Sequence, residues 1–190
     1  MSGTETEYWD TCVFLALIKG EPLRQGEETY LEMQARKFDM GQLNLVTSAI
    51  TITEILASKL TEEQHEKLRD FSTRSNFQYI DANPGICTLA SEIRNYYSEN
   101  PPIRPAGSKT LKLPTPDAIH VASAIAVQAS VKRPVKLLTF DCKDKPSRNE
   151  MALDSLDGMV ANKYHLRIGR PDVSNQQVLL GLVGGRTGPA

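Results

Sequence analysis

Four acidic residues stand where the ends of predicted secondary-structure elements would bring them together. Asp10 follows the first predicted strand, and Asp141 follows the fourth. Glu54 lies in the first predicted turn of the helix after the second strand, and Asp117 opens an alanine-rich helix. In an open parallel sheet, ligands bind beyond the carboxyl ends of the strands, where the strand order reverses. If the first and fourth strands are neighbours, we expect the four carboxylates to meet there.

A cluster of this kind favours a particular chemistry. Carboxylates gathered without matching bases repel one another, so their charged forms need a cation among them. Oxygen ligands from Asp and Glu suit a hard cation, Mg²⁺ or Mn²⁺. Such a cation lowers the pKa of bound water and neutralises charge on phosphate oxygens, which is apt for phosphodiester cleavage. Each acid taken singly is also a common helix cap, so the combination carries the interpretation.

The elements that must position these acids alternate along the chain. Apolar and β-branched runs predict strands at 6–9, 43–48, 77–83, 135–141 and 164–169. Apolar periodicity and end signals predict helices at 12–18, 25–42, 49–60, 61–74, 84–100 and 117–130. Thr51 or Thr53 is expected to cap the third of these helices. The alternation indicates an α/β fold, with a mainly parallel sheet and helices on both faces. We expect one domain over residues 4–170 and a partly flexible tail at 171–190.

The segments around the four acids have a more specific pattern. They are YWDTCVFLAL, TSAITITEIL, LPTPDAIHVASAI and LLTFDCKD. They resemble the four motifs of PIN domains, in the expected order and spacing over residues 7–144. The third, with Pro-Asp-Ala before small apolar residues, and the fourth, a strand that ends in Thr-x-Asp, are the most specific. The chain thus resembles PIN-domain ribonucleases of the VapC toxin type.

This resemblance implies a three-layer α/β/α fold and a Mg²⁺- or Mn²⁺-dependent endoribonuclease. It implies that the catalytic and metal-binding quartet consists of Asp10, Glu54, Asp117 and Asp141. Asp144, in the same loop as the last of these, is a candidate for contact with the metal through water. Thr139 matches a hydroxyl often found near the quartet, where it either orients Asp141 or satisfies the end of a strand.

The resemblance also implies partners: an RNA substrate, a small antitoxin protein and a second copy of the chain in a homodimer. An antitoxin would place an amphipathic helix over the site or over the groove made by residues 25–42 and 49–74. The chain is longer than the compact toxins of this family. Its excess lies in a helical insert at 22–42, a proline-rich loop at 101–113 and the tail after residue 171.

Basic residues are unevenly distributed and flank the acids. Residues 1–70 hold 7 Lys and Arg against 13 Asp and Glu, whereas residues 71–190 hold 15 against 10. One cluster precedes Asp117 and the other follows Asp141; they are Arg104, Lys109 and Lys112, and Lys143, Lys145 and Arg148. These side chains are candidates for contacts with RNA phosphates, and equally they are solvated loop residues.

Histidine and cysteine offer no competing site of their own. His120 lies one turn after Asp117, and we expect it to be a core or outer-shell histidine because Mg²⁺ prefers oxygen ligands. Cys12 and Cys142 each lie beside a quartet motif, but no base pattern marks either as a nucleophile. With three cysteines in all and no CxxC, a disulfide framework and a zinc cluster are both disfavoured.

Composition excludes several other classes of protein. Hydrophobic residues make up 40% and charged residues 24%, which is typical of a globular protein and not of a disordered chain. The longest apolar runs, at 13–18 and 178–183, fall far short of the roughly 20 residues that span a bilayer. We predict no membrane segment. The polar, acidic first ten residues are unlike a secretory signal, so we expect a cytoplasmic protein.

Two alternatives to a nuclease remain. One is a catalytically silent PIN-like module that binds RNA or protein, although such a module has no need of all four acids. The other is a phosphatase with Asp10 as its nucleophile. That class wants a second Asp two residues on, where this chain has Cys12, and there is no GxxxxGK[ST] phosphate loop.

Overall fold

A parallel sheet of five strands forms the centre of the molecule. The computed structural model describes residues 4–102, 110–156 and 159–173. The strands are β1 (Glu5–Trp9), β2 (Leu43–Ser48), β3 (Phe77–Ile80), β4 (Lys136–Leu138) and β5 (Arg167–Gly169). Their order across the sheet is β3-β2-β1-β4-β5, and each adjacent pair is parallel. The predicted parallel sheet is confirmed, and β1 lies at its centre.

Helices cover both faces of this sheet. They are α1 (Thr11–Lys19), α2 (Glu27–Asp39), α3 (Ile50–Ala57), α4 (Glu62–Ser72), α5 (Pro84–Glu99), α6 (Thr115–Val131) and α7 (Met159–Tyr164), with a short 3₁₀ helix at Leu153–Ser155. One apolar core lies under α5 and α6, and a second lies under α1, α2 and α4. Successive residues of a strand face opposite sides, so Tyr8 enters the first core and Trp9 the second. The three-layer α/β/α fold is confirmed.

Local signals explain most helix starts. Thr61 begins α4 with a capping box, in which its hydroxyl accepts from the Gln64 backbone and the Gln64 side chain accepts from the Thr61 backbone. Asn83 caps α5 just before Pro84, which needs no backbone partner at that position. The Gly20 backbone ends α1 in the left-handed region (φ 65°) that glycine adopts readily.

The predicted cap of α3 is wrong. The helix begins at Ile50 after Ala49, without a side-chain cap, so Thr51 and Thr53 both lie inside it. Thr51 is buried and its hydroxyl is 2.7 Å from that of Thr47 at the end of β2. Glu54 therefore lies one turn further into the helix than predicted. Burial of Thr51 and its hydrogen bonds, to Thr47 nearby in sequence and to Thr11 at 3.3 Å across the fold, override the local capping signal.

Three strands are shorter than predicted. β4 ends at Leu138 although the apolar run suggested residues 135–141, and β3 ends at Ile80 because Asn83 is already a helix cap. The last strand starts at Arg167, since α7 continues to Tyr164. The early end of β4 leaves Thr139, Phe140 and Asp141 in irregular backbone at the carboxyl edge of the sheet.

No helix within the described parts of the chain is long and apolar enough to cross a membrane. The tail from 174 onward and residues 103–109 of the proline-rich loop lie outside the described residues. The domain boundaries predicted from the sequence therefore remain a prediction.

Candidate active site

The carboxyl edge of β1 and β4 brings the first and last acids together. β1 and β4 are neighbours, with Trp9 opposite Leu138 in the register. The Asp10 backbone N–H continues this ladder by donating to the Leu138 carbonyl at 3.0 Å. From β1 the chain continues to β2 and β3 on one side of the sheet, and β4 and β5 lie on the other, so the strand order reverses between β1 and β4. In open parallel sheets, ligands bind at such a point, beyond the carboxyl ends of the strands. The expected neighbourhood of strands one and four is confirmed.

Thr139 connects these two acids directly. Its buried hydroxyl donates to Asp10 Oδ2 at 2.8 Å and accepts from the Asp141 backbone N–H at 3.0 Å. The Cys12 thiol also donates to Asp10 Oδ2, at 3.0 Å. The hydroxyl therefore fixes the carboxylate of one strand and the backbone of the other.

Asp10 also caps α1. Its Oδ1 accepts from the Thr11 backbone N–H at 2.7 Å, so the carboxylate is held by neutral donors on both oxygens. The residue is only 6% exposed. Capping and a role in the acidic cluster are thus compatible here, because each carboxylate oxygen can accept more than one bond.

His120 joins the acids from the centre of the site. It is completely buried, and its Nε2 lies 3.1 Å from Glu54 Oε2 and 3.4 Å from Asp10 Oδ1. Its Nδ1 lies 2.9 Å from the Tyr8 hydroxyl. Burial alone would lower the pKa of His120, but the charges of Asp10, Glu54 and Asp117 raise it overall. The imidazole is positioned to hold two acids rather than to bind a hard cation.

Glu54 is half-buried and is held by polar contacts. Its Oε2 accepts a short hydrogen bond from the Thr11 hydroxyl as well as facing His120. Burial would raise its pKa, but the hydrogen bonds from His120 and Thr11 lower the pKa below its ordinary value. Glu54 thus favours its charged form.

Asp117 shows the electrostatic cost of the cluster most clearly. It lies in the first turn of α6. Burial, followed by the charges of Asp10 and Asp141, raises the pKa of Asp117 to about 7, against the opposing charges of His120 and Lys145. The charges of Asp10, Asp117 and Asp141 therefore disfavour one another, with too little positive charge nearby to offset them. We call the group Asp10, Glu54, Asp117 and Asp141 the acidic edge.

Lys145 supplies part of the missing positive charge. Its Nζ lies 3.0 Å from Asp141 Oδ2, and the carboxylate side chain is 16% exposed. Burial nevertheless leaves the pKa of Asp141 raised, since Lys145 offsets only part of the penalty and Asp10 adds to it. Sequence analysis predicted Lys145 only as a contact with RNA and not as the counter-ion of Asp141.

The remaining predicted residues divide into three groups. Asp144 is exposed, and its Oδ1 accepts from the Ala152 backbone N–H at 2.9 Å, so it braces its own loop. Lys112 and Lys143 are exposed, and the Lys112 backbone pairs with the loop that contains Lys145 through Asn149 and Met151. Arg104 and Lys109 lie outside the described residues. The described parts of both basic clusters thus belong to loops that touch.

The donor chemistry of the acidic edge fits a hard divalent cation. Its donors are carboxylate oxygens, and the raised pKa of Asp117 shows that they need positive charge. Within the described ranges, however, no three His, Cys, Asp or Glu side chains stand together in ligand positions. The Glu54 carboxylate is directed toward His120, and the Asp141 carboxylate toward Lys145. The carboxylates therefore have the right donor chemistry but do not converge on one cation position.

Comparison with known proteins gives the family. The PIN domain model matches residues 8–143, which contain all four acids. The chain belongs to the PIN domain family. No curated protein matches it. The matched span ends just past Asp141, so the predicted helical insert lies inside the PIN domain and the tail lies beyond it.

Two solved structures resemble this PIN domain in fold. One is VapBC2 from Rickettsia felis bound to a DNA fragment from the promoter, with 19% identity, a TM-score of 0.47, and coverage of 77% of this chain and 96% of that chain. The other is VapBC-5 from Mycobacterium tuberculosis, a member of the VapBC toxin–antitoxin family, with 16% identity, a TM-score of 0.46, and coverage of 87% and 98%.

Sequence reasoning placed the four acids of this PIN domain but missed how they are held. The sequence suggested a core or outer-shell role for His120, and its contacts agree. Nothing in the sequence signalled that Tyr8 would reach its other nitrogen. The buried Cys12 thiol donates to Asp10, and burial together with the Asp10 charge raises the pKa of Cys12 well above its ordinary value. A thiol of that kind is a poor nucleophile, as expected.

Proposed function

We propose that this PIN domain protein is a divalent-metal-dependent endoribonuclease that hydrolyses RNA phosphodiester bonds. The observation that carries the proposal is the concentration of negative charge at the acidic edge, where burial and then the charges of Asp10 and Asp141 raise the pKa of Asp117 to about 7. A cluster of this kind opposes folding unless a cation relieves it. Family membership supports the same chemistry, because PIN domains include nucleases that use divalent metal ions.

Asp10, Asp117 and Asp141 would hold the Mg²⁺ or Mn²⁺ ion, with Glu54 completing the set. When bound, such an ion lowers the pKa of a water nucleophile and neutralises charge on the scissile phosphate. The chain supplies the positions. Thr139 orients Asp10, while His120 holds Glu54 beside it. Asp144, which now braces its loop, remains a candidate for contact through water.

Basic residues would bring the RNA to this edge. Lys112, Lys143 and Lys145 lie on the two touching loops, and Arg104 and Lys109 belong to the same predicted cluster. Lys145 already pairs with Asp141, so its role in RNA binding requires that a metal ion take over the carboxylate. We therefore assign Lys145 a double role, as counter-ion without metal and as phosphate contact with it.

We further propose that the protein acts in the cytoplasm as a VapC-like toxin with a small antitoxin and forms a homodimer. Apolar side chains remain exposed just after α2 and on α3, with Met40 at 67% and Leu56 at 56%. They lie within the segments 25–42 and 49–74 over which an antitoxin helix is expected. Co-purification with the small protein encoded beside it tests the partner. Light scattering tests the dimer, since a mass near 21 kDa, that of one chain, would contradict it.

The decisive experiment is RNA cleavage with and without Mn²⁺ or Mg²⁺. We expect wild-type cleavage to require the metal, and Asp10→Asn or Asp117→Asn to reduce it at least about 100-fold, as loss of metal ligation does. Asp70→Asn, an exposed aspartate on α4, is the matched control and should cleave normally. Equal activity of the three variants would contradict the proposed site.

A second candidate is a silent PIN-like module that binds RNA or protein. It is favoured by the separated carboxylates, since no ready group of three metal-ligating side chains stands among the described residues. Calorimetry distinguishes the two candidates. Metal binding that is lost in Asp117→Asn supports the nuclease, whereas no metal binding and no cleavage of structured or single-stranded RNA supports the silent module.

A further inference from the structure

A cleft lies away from the acidic edge, between α2 and the half of the sheet formed by β1, β4 and β5. Its volume is about 990 Å³, at the upper end of the range of small-molecule sites. The residues that matter here are Glu7, Tyr30, Gln34, Arg133, Lys136 and Arg167. We call it the α2 cleft. None of the four acids lines it.

Three cations in the α2 cleft lack a carboxylate of their own. Lys136 and Arg167 are register partners on adjacent strands, and neither forms an ion pair within 4.0 Å among the described residues. Arg133 donates to the neutral Thr6 hydroxyl at 2.8 Å. Burial and the neighbouring Arg167 lower the pKa of Lys136, against the charges of Glu7 and Asp172. The mouth of the cleft thus offers more positive charge than the chain neutralises.

The other cations of the cleft are already paired. Lys37 forms an ion pair with Glu5 at 2.9 Å, on the rim. Arg170 pairs with Glu27 and donates to the Phe140 carbonyl at 3.0 Å. The unpaired set is therefore a compact group and not a general feature of the surface, and Lys37 provides a matched control within the same cleft.

On the floor of the α2 cleft, one buried side-chain oxygen has no hydrogen-bond donor among the described residues. Gln34 is 3% exposed, and its Nε2 donates to Glu7 Oε1 at 3.3 Å, which fixes the orientation of the amide. Its Oε1 is buried with no partner among the described residues. A buried acceptor left unpaired costs free energy, so a ligand N–H or O–H that reaches it is favoured. Beside it, the Tyr30 ring lies beneath the Lys136 ammonium, 5.7 Å away.

We propose that the α2 cleft binds a nucleotide phosphomonoester. Arg133, Lys136 and Arg167 would hold the phosphate, because guanidinium groups match its oxygens in pairs. The ribose or base would lie toward Tyr30 and supply the donor for Gln34. Inorganic phosphate alone would leave most of the volume and the amide oxygen unused. This proposal does not depend on nuclease activity, and the ligand comes either as a free mononucleotide or as the phosphorylated end of an RNA.

The test uses the full chain in EDTA, so that no metal-mediated binding occurs at the acidic edge. AMP, adenosine and inorganic phosphate are titrated by calorimetry and by NMR of the indole N–H signal. Trp9 is the only tryptophan of the chain, and its Nε1 donates to Glu7 Oε2 at 2.8 Å, so it reports on the floor of the cleft. We expect AMP to bind more tightly than adenosine or phosphate and to shift the Trp9 signal.

Variants locate the binding. Lys136→Met and Arg167→Gln should each weaken AMP binding about tenfold or more, as loss of a charged hydrogen bond does. Lys136→Arg should restore it, and Lys37→Met should leave it unchanged. Gln34→Leu should weaken AMP but not inorganic phosphate. A circular-dichroism melt confirms that each variant is folded, and the Lys136→Arg rescue identifies a loss caused by charge.

Two RNAs separate the sources of the ligand. A tetranucleotide is titrated with a 5′-phosphate and with a 5′-hydroxyl. Tighter binding of the phosphorylated form than of AMP identifies an RNA end, and AMP binding as tight as either RNA identifies a free nucleotide. The proposal is overturned if AMP gives neither heat nor a Trp9 shift at about 10 mM, or if Lys136→Met binds AMP as well as Lys37→Met does.

Discussion

Glu7 lies in the middle of β1 and Asp10 just after this strand, yet the carboxylates near these two positions differ in what acts on their pKa besides burial. Burial is the main cause that raises the pKa of Glu7, in the α2 cleft, with a smaller contribution from Glu5, while hydrogen bonds from Trp9 and Tyr30 and the charge of Lys136 lower it. At the acidic edge, the pKa of Asp117 is raised by burial and also by other carboxylates. A bound cation relieves the second cause and not the first. A bound metal ion should therefore stabilise the acidic edge and leave Glu7 in the α2 cleft unaffected.

The largest effect is expected where the acidic edge is held together. His120→Ala removes the fully buried imidazole that faces Glu54, Asp10 and Tyr8. We expect it to lower the free energy of unfolding by roughly 3 kcal/mol, because it leaves buried acids without their partner. Chemical denaturation measures this. His65→Ala on α4 is the control and should change stability by less than about 0.5 kcal/mol; an equal effect of the two would mean that His120 is ordinary core.

Asp117→Asn should act in the opposite direction. At pH 8 without metal, it removes a carboxylate that burial and neighbouring charges disfavour. We expect the free energy of unfolding to rise by about 2 kcal/mol, within the limit set by the pKa shift. Adding Mn²⁺ should raise the melting temperature of the wild type and not that of the variant. A variant less stable than wild type in EDTA would show that the acids do not repel.

The substitution Glu7→Gln tests, through the pH dependence of stability, whether Glu7 acts independently of the acidic edge. Burial raises the pKa of Glu7 above its ordinary value of 4.5, despite hydrogen bonds from Trp9 and Tyr30, with Glu5 raising it and Lys136 lowering it. The folded state therefore binds this proton more tightly than the unfolded chain does. Stability from Glu7 is full below pH 4.5 and is lost as the pH rises through the folded-state pKa.

Glutamine keeps the acceptor for Tyr30 and gives up that for Trp9, a cost that is the same at every pH, and it has no loss of stability from ionisation. We expect Glu7→Gln to gain about 1 kcal/mol relative to wild type between pH 4.5 and pH 8, with or without Mn²⁺. Denaturation at several pH values measures the gain. A gain that appears only in EDTA would mean that Glu7 and the acidic edge are electrostatically coupled, contrary to this expectation.

The smallest effect is expected at Lys145, which is 43% exposed as a side chain. Lys145→Gln should lower stability in EDTA by about 0.5 kcal/mol, in the range of a partly screened ion pair. It should also tighten Mn²⁺ binding several-fold, because Asp141 loses its competing cation. Calorimetry checks the affinity, with Lys143→Gln, an exposed lysine of the same loop, as control. Weaker Mn²⁺ binding would mean that the lysine supports the metal.

Most of the fold could be predicted because its signals are local. The strand Leu43–Ser48 has its predicted bounds, and the Thr61 capping box is present as the sequence indicates. The start of α3 could not be predicted, since the buried Thr51 hydroxyl accepts from Thr11, 40 residues earlier in the chain. The end of β4 was hidden for a similar reason: an apolar run does not show where the partner strand stops.

In the candidate site too, the sequence predicts some features and not others. Asp10 and Asp141 could be placed together because parallel strands share a carboxyl edge. The contacts of His120 with Tyr8 and Glu54 join residues 112 and 66 positions apart, and no spacing in the sequence reports them. The pairing of Lys145 with Asp141 spans four residues of irregular loop, where no helical rule applies. Sequence analysis therefore missed the orientations of these side chains.

The hydroxyl of Thr139 joins Asp10 to a strand made 129 residues later. During synthesis, β1 leaves the ribosome well before the segment that completes its carboxyl edge, because 129 residues separate Asp10 from Thr139. Contacts this far apart in sequence also form late because loop closure must precede them. A nascent chain therefore has Asp10 without Asp141 until this long intervening stretch has been made. If the acidic edge cuts RNA, the growing chain has no such edge to turn on its own messenger before then.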